Sequence, residues 1–344
     1  HVSCYGYKRK TTPNIDKLAE KGAVFLNAYP TDVPTQPSYT SIFTGKRGIS
    51  TGVVTHGQPE EIIPPGMPTF PQILAENGVL TAAISTLYRF RRWFAKGFTH
   101  YLQPSMKTWL QSVRAPDINE LAVPWLKAYG KNDFFLFIHY WDPHQPYTQA
   151  PEKYLKKFYQ GDLYDKNNKS LEFAKENPVF YQWLKKSLIG NITDFEGLLS
   201  LYDAEINFAD DHIGDIIDTL EELNILEETM IIITSDHGEA FGERKHFDHM
   251  DTCEPVIHVP LVIFYPPGIK PQKISGFVQH IDFAPTILEC FNIPVPEGLE
   301  GKSLWPVLKG EREENYDVIF TNQGLWEAQR IMRKGKYKLV KTID

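Results

Sequence analysis

Met230-Ile231-Ile232-Ile233-Thr234-Ser235-Asp236-His237-Gly238-Glu239 is the stretch on which the reading of this 344-residue chain turns. Its apolar opening does not alternate, which describes a strand covered on both faces. The polar residues that follow put Asp236 and His237 at the carboxyl end of that strand. Upstream, Tyr202, Ile206, Ala209, Ile213, Ile216, Ile217 and Leu220 recur at helical spacing and predict a helix over Leu198–Leu223. Further strands are expected at Ala23–Leu26, Val79–Ser85, Asp133–Tyr140 and Val259–Tyr265. Between them lie a helix opened by Thr12-Pro13-Asn14, with Thr12 as its cap, and another over Phe70–Glu76. Strands separated by helices imply an α/β fold, a mainly parallel sheet sandwiched by helices. In such sheets ligands bind outside the carboxyl ends of the strands.

Composition narrows the function. Hydrophobic residues at 42% and charged residues at 23% suit an enzyme-sized globular chain and exclude a disordered or fibrous one. A net charge of -7 speaks against a nucleic-acid partner. The longest apolar runs fall short of the ~20 residues of a membrane span, so none is expected. Three scattered cysteines form no disulfide framework or CxxC metal site; they suit a cytoplasmic setting, and equally a secreted or periplasmic one. Oligomeric state is left open by the sequence. Residues 151–195, polar and aromatic, read as an insertion or lid.

Four segments carry candidate chemistry. Asp236 and His237 offer oxygen and imidazole nitrogen to a divalent cation, unless Ser235 or Asp236 is a helix cap. Gly238 lets the backbone turn there. His246, Asp248, His249 and Asp251 form a dense polar cluster just downstream, readable as acids, as ligands or as a solvated loop. Asp142-Pro143-His144 follows another strand, and prolines on either side hold His144. Val33-Pro34-Thr35 through Gly45-Lys46 is a hydroxyl-rich turn entering a short helix. A hydroxyl at a helix N-terminus is well placed as a nucleophile, since the dipole and free N–H groups favour an anionic substrate; Thr35 reads equally as an N-cap. No GxSxG, P-loop or GxGxxG occurs, which removes support for acyl-hydrolase, kinase and dinucleotide readings.

Taken in order, these segments resemble the sulfatase family of the alkaline phosphatase superfamily. Cys4-Tyr5-Gly6 with Thr12-Pro13-Asn14-Ile15-Asp16 looks like the family's start, and Tyr202-Asp203-Ala204-Glu205 with Asp210 like its long helix. Thr234–Glu239 is similar to its metal signature and Asp142-Pro143-His144 to its substrate-histidine loop. Val259-Pro260-Leu261, Asp282 with Ala284-Pro285-Thr286, Gly301-Lys302-Ser303-Leu304 and Lys336–Leu339 complete the series. The resemblance implies a catalytic α/β domain over 1–310 and, over 311–344, the start of a C-terminal subdomain whose small sheet is incomplete. It also implies a divalent cation (Ca, Mg, Mn or Zn), one rather than two, held by Asp236, His237 and Thr35, with two further aspartate ligands upstream of His1.

Two departures shape the expected activity. Sulfatases carry Cys or Ser in a CxPSR-like motif, oxidised to formylglycine; here Thr35-Gln36-Pro37-Ser38-Tyr39 stands there, and threonine cannot become an aldehyde. A threonine at this place resembles the phosphodiesterases of the superfamily. Tyr88-Arg89-Phe90-Arg91-Arg92-Trp93 replaces a Lys-Trp-His element, and one of its arginines could clamp a phosphate or sulfate. The expectation is a hydrolase of sulfate or phosphate/phosphonate esters of a small molecule, glycan or lipid. Its catalytic residues are Thr35, His144 and His249, and its substrate contacts are His144, His246, His56 and Lys46. The rival expectations are a phosphoryl transferase and a non-catalytic sulfatase-like binding protein.

Overall fold

The computed structural model describes residues 1–105, 113–176, 178–325 and 328–343; residues 326, 327 and 344 of the expected C-terminal unit and residue 177 of the expected lid lie outside them. In chain order the strands are β1 (Ala23–Tyr29), β2 (Asp32–Val33), β3 (Leu80–Ile84), β4 (His100–Leu102), β5 (Phe134–Ile138), β6 (Ile231–Thr234), β7 (Ala240–Phe241), β8 (Phe247–Asp248), β9 (Leu261–Phe264), β10 (Gln272–Gln279), β11 (Val318–Gln323), β12 (Gln329–Lys334) and β13 (Tyr337–Thr342). The central sheet has the order β10-β1-β9-β6, a second sheet is β4-β3-β5, and a third is β13-β12-β11-β2.

The layering is the expected α/β sandwich, but strand direction is more mixed than a mainly parallel sheet. β10 runs parallel to β1 and β3 parallel to both its neighbours, while β9 is antiparallel to β1 and to β6. A parallel neighbour requires a crossover over one face of the sheet. The connection from β6 to β9 instead stays at the sheet edge, where residues 235–260 fold into short strands and turns.

Alternate residues of the strands feed two cores. Ala23 and Phe25 of β1 and Leu261 and Ile263 of β9 join one cluster, with Tyr39, Phe43, Phe70, Leu74, Ile287 and Leu288 from the helices. Val24, Val262 and Phe264 face the other side, against Ile15, Leu18, Trp125, Leu126 and Leu220. The long helix, Phe195–Glu222, lies on this second face. Residues of the 151–195 segment pack along it: the Tyr154 hydroxyl donates to Asp211 and the Lys157 ammonium to Asn207.

Buried carboxylates tie these layers together. In the first helix, α1 (Pro13–Lys21), the Thr12 side chain at the cap accepts from no backbone N–H of the first turn; its hydroxyl donates to the Asp16 side chain. The free N–H groups at Asn14 and Ile15 donate instead to the two oxygens of Asp210, each at 2.9 Å, from the long helix. The expected local cap is thus replaced by a tertiary one, which also satisfies the orphan donors of the first turn. Asp282, fully buried, accepts from the backbone N–H groups of Gln279 and Lys302 and from the Tyr316 hydroxyl at 2.5 Å. Close approach is obligatory beside it: a Cβ on Gly301 would lie 1.9 Å from the Ile281 carbonyl oxygen. Asp32 accepts from the Ser41 hydroxyl, the Gly48 N–H and the Asn322 amide, joining the C-terminal sheet to the segment that carries Thr35.

Removing Asp210 or Asp282 strands several buried donors at once. Asp210→Ala and Asp282→Ala are each expected to lower the unfolding free energy by about 3 kcal/mol, and the Asn variants by less. Urea denaturation followed by circular dichroism measures this.

Candidate active site

Thr35 is the first residue of α2 (Thr35–Thr44), which Gly45 ends in a left-handed conformation; Pro34, not Thr35, is the cap. The Thr35 hydroxyl Oγ1 lies 3.2 Å from His237 Nε2, and that nitrogen lies 3.4 Å from Asp236 Oδ2. Nδ1–H of His237 donates to the Gly238 carbonyl at 2.9 Å, so Nε2 presents its lone pair. No helix begins at Ser235 or Asp236: the loop runs straight into β7, and the helix-cap reading of these residues falls. Gly238 serves close approach rather than a turn. Its N–H donates to the Val256 carbonyl at 2.7 Å, and a Cβ there would lie 1.9 Å from the Pro255 carbonyl oxygen.

Two oxygens and an imidazole nitrogen thus converge with spacings close to the ~3 Å that ligands bonded at ~2.1 Å keep from one another. Asp236, His237 and Thr35 fit a divalent cation by donor type and by this spacing. Burial opposes charge on Asp236, yet His237, His139 and His249 hold its carboxyl below the ordinary range.

Histidines crowd the site. His144 lies edge-on to His249, with ring centroids 5.6 Å apart, and its Nδ1–H donates to the Gln145 carbonyl. His249 lies 4.3 Å from the His237 ring. His56 stacks on Phe90, on a loop fixed by the Gly57 N–H donating to the Gln36 side chain beside Thr35. Burial pushes His56 and His144 down to about 4, leaving them neutral. His249 is the opposite case. Burial works against its charge, but Asp248 Oδ1 at 2.6 Å and Glu239 Oε1 at 3.4 Å hold its pKa well above the ordinary value. The 2.6 Å contact is an ion pair rather than an aligned hydrogen bond, and it is shorter than two ligands of one cation keep from one another.

The geometry also separates the expected residues. Lys46 follows the far end of α2, about 15 Å along the helix by its rise per residue, so it does not join the cluster around Thr35. His246 is half-exposed on the hairpin and lies 3.8 Å from Asp251. Arg89 donates to the Gln103 side chain, and Arg91 to the carbonyls of Gln58 and Phe90. Residues not foreseen complete the wall. His139 follows β5, bonded to the Ser85 hydroxyl at 3.1 Å. His280 follows β10, its Nδ1 3.2 Å from the Ser38 hydroxyl, which in turn donates to the Asp236 carbonyl at 2.8 Å. Burial lowers both histidines to about 4.

A sulfatase family model matches residues 1–293. The chain is 26% identical over 390 residues to the N-acetylglucosamine-6-O-sulfatase of Bacteroides thetaiotaomicron, covering 90% of this chain and 68% of that one. It is 26% identical to arylsulfatase K of Rattus norvegicus over 335 residues, 86% of this chain and 58% of that protein. Among solved structures, the phosphonate monoester hydrolase of Agrobacterium radiobacter superposes with a TM-score of 0.81 at 19% identity, covering 99% of this chain and 84% of that one. A protein solved with its substrate D-glucosamine-2-N,6-O-disulfate gives 0.79 at 21% identity, covering 98% and 85%. The chain belongs to the sulfatase family of ester hydrolases.

Proposed function

We propose that this chain hydrolyses phosphate or phosphonate esters, and sulfate esters less well, with Thr35 as nucleophile and a single divalent cation held by Asp236, His237 and Thr35. The observation that carries the reading is the Thr35 hydroxyl at a helix N-terminus, 3.2 Å from a histidine nitrogen whose lone pair is free. The preference for phosphorus follows from chemistry: the secondary alcohol of threonine cannot be oxidised to an aldehyde, whereas its oxygen can attack phosphorus directly. A glycan ester is the first substrate to try, in view of the N-acetylglucosamine-6-O-sulfatase relative.

When bound, the cation lowers the pKa of the Thr35 hydroxyl and neutralises charge on the ester oxygens. Thr35 Oγ1, its proton already released to solvent, forms a bond to phosphorus as the bond to the leaving oxygen breaks on the opposite side, and hydrolysis of the threonyl ester returns it as the same alkoxide. His249, held charged by Asp248 and Glu239, gives the leaving oxygen its proton from Nε2. The neutral His249 then accepts a proton from the water that attacks the threonyl ester and frees the enzyme. His144 and His56, both neutral, contact the transferred group. Two histidines pushed apart in pKa by their surroundings are the usual mark of such a division of roles.

Thr35→Ala is expected to reduce turnover of an aryl phosphodiester, a phosphonate monoester and an aryl sulfate by at least about 10⁴-fold, the upper end of what removing acid–base catalysis alone costs. Stopped assays with each substrate test this. Transfer of the group to an added alcohol would make the protein a transferase, and unchanged turnover would remove Thr35 from the mechanism. Chelation of the protein should abolish turnover and addition of Ca, Mg, Mn or Zn restore it, with metal content read by elemental analysis; no bound metal and no turnover would favour the binding-protein reading. His249→Ala should cost about 10²–10⁴-fold on alkyl esters and far less on activated aryl esters, whose leaving groups need no proton. A series of leaving groups of graded basicity gives the slope.

A further inference from the structure

The loop that carries His144 is fastened to the long helix through two acidic side chains. Asp142, three residues beyond His139, is 5% exposed, and Glu205, in the middle of the helix, is 1% exposed. Glu205 Oε1 accepts from the backbone N–H groups of Gln149 at 2.5 Å and Ala150 at 2.8 Å. Its second oxygen and both carboxyl oxygens of Asp142 are buried with no close donor from another residue. The group that acts on them is the other carboxyl: Asp142 and Glu205 are neighbours that influence one another directly, alongside the amides of Asp142 and Ala115.

Among the described residues, no lysine, arginine or histidine is among the groups that act most strongly on either carboxyl. The other titratable groups on this side are the Tyr140 hydroxyl, itself bonded to Asn119 at 2.6 Å, and Asp215 beyond it. Neither supplies positive charge. Two carboxylates in contact and out of water cannot both be ionised, and an isolated buried carboxylate lacking donors is costly. A proton held between them resolves both difficulties, because it gives the donor that three buried oxygens lack. Burial and mutual repulsion both raise the Asp142 pKa, and burial raises that of Glu205.

We propose that Asp142 and Glu205 share one proton, and that this carboxyl–carboxylate bond clamps residues 142–150, and with them His144, onto the long helix, so that losing the proton at alkaline pH frees the loop and slows turnover. These are positioning residues: neither touches the Thr35 cluster, and the effect on rate rests on the role given to His144 above.

The test compares the wild type with Glu205→Gln and Glu205→Ala. The glutamine keeps the acceptor for Gln149 and Ala150 and offers its N–H₂ to an ionised Asp142, so it holds the clamp without a titrating proton. On an activated aryl ester, whose leaving group needs no proton from His249, Glu205→Gln should keep kcat within about threefold near neutrality and lose the wild type's alkaline fall in rate, while Glu205→Ala should lose about 10-fold or more in kcat with little change in KM. An alkaline limb unchanged in Glu205→Gln overturns the proposal. A second measurement does not need catalysis: the thermal midpoint against pH. Folding takes up the shared proton above the ordinary carboxyl range, so wild-type stability should fall as pH rises toward the raised folded value, and the fall should be shallower in Glu205→Gln. Parallel curves also overturn the proposal. If the curves differ but no ester is turned over, the shared proton stands and it is the catalytic reading of Thr35 and His144 that fails.

Discussion

Everything at the site depends on strand direction. Because β9 is antiparallel to both β1 and β6, those two strands run the same way and end at the same edge of the sheet. β10, parallel to β1 and with its last residue Gln279 paired to Tyr29, ends there too. The chain beyond β1 therefore delivers Thr35, that beyond β6 delivers Asp236 and His237, and that beyond β10 delivers His280, all at one level. Neighbouring strands stand ~4.8 Å apart, so residues 202 positions apart in sequence come within hydrogen-bonding distance without any long excursion. A parallel β9 would have required a crossover in place of the edge-hugging 235–260 segment, and that segment carries Glu239, Asp248 and His249.

Strand and helix positions were legible to within a few residues wherever apolar patterning was strong, as in Phe195–Glu222, Phe134–Ile138 and Ile231–Thr234. β10 was missed because Gln272-Lys273-Ile274-Ser275-Gly276 alternates poorly and carries a glycine, and with it went His280. His139 was hidden inside Phe134–Trp141, where a single polar residue reads as part of a buried strand; its position at the carboxyl end was the signal that could have found it. Thr35, Asp236, His237, His144, His249 and His56 come together in the structure, while Lys46 and His246 do not. Lys46 closes the same stretch of sequence as Thr35, but the length of the helix between them separates the two in space. His246 was drawn in by the density of its cluster, and density along a chain says nothing of which side chains turn inward.

Several residues that mark the family in sequence carry no chemistry here. Asp210 and Asp282 are acceptors for backbone and side-chain donors that belong to distant segments, and Asp32, which is not among those marks, plays the same part. Each satisfies groups that would otherwise be buried unpaired, a debt far larger than the net worth of an ordinary hydrogen bond. Gly238 and Gly301 belong to the same class, since a methyl group at either would collide with a neighbouring carbonyl. Recognition of a family by such residues is recognition of its packing, and the chemistry has to be read separately from the side chains that line the site.

The Asp210 bond to the start of α1 has a consequence for how the molecule assembles. A nine-residue helix is too short to persist alone in water, and the groups that complete its first turn are supplied from 195 residues further along the chain. As the polypeptide leaves the ribosome, α1 has no lasting form until the long helix has also emerged. With pairings of this span throughout the central sheet, folding is governed by closure of large loops and is slow for that reason. The amino-terminal third is thus born dependent, waiting on residues not yet made.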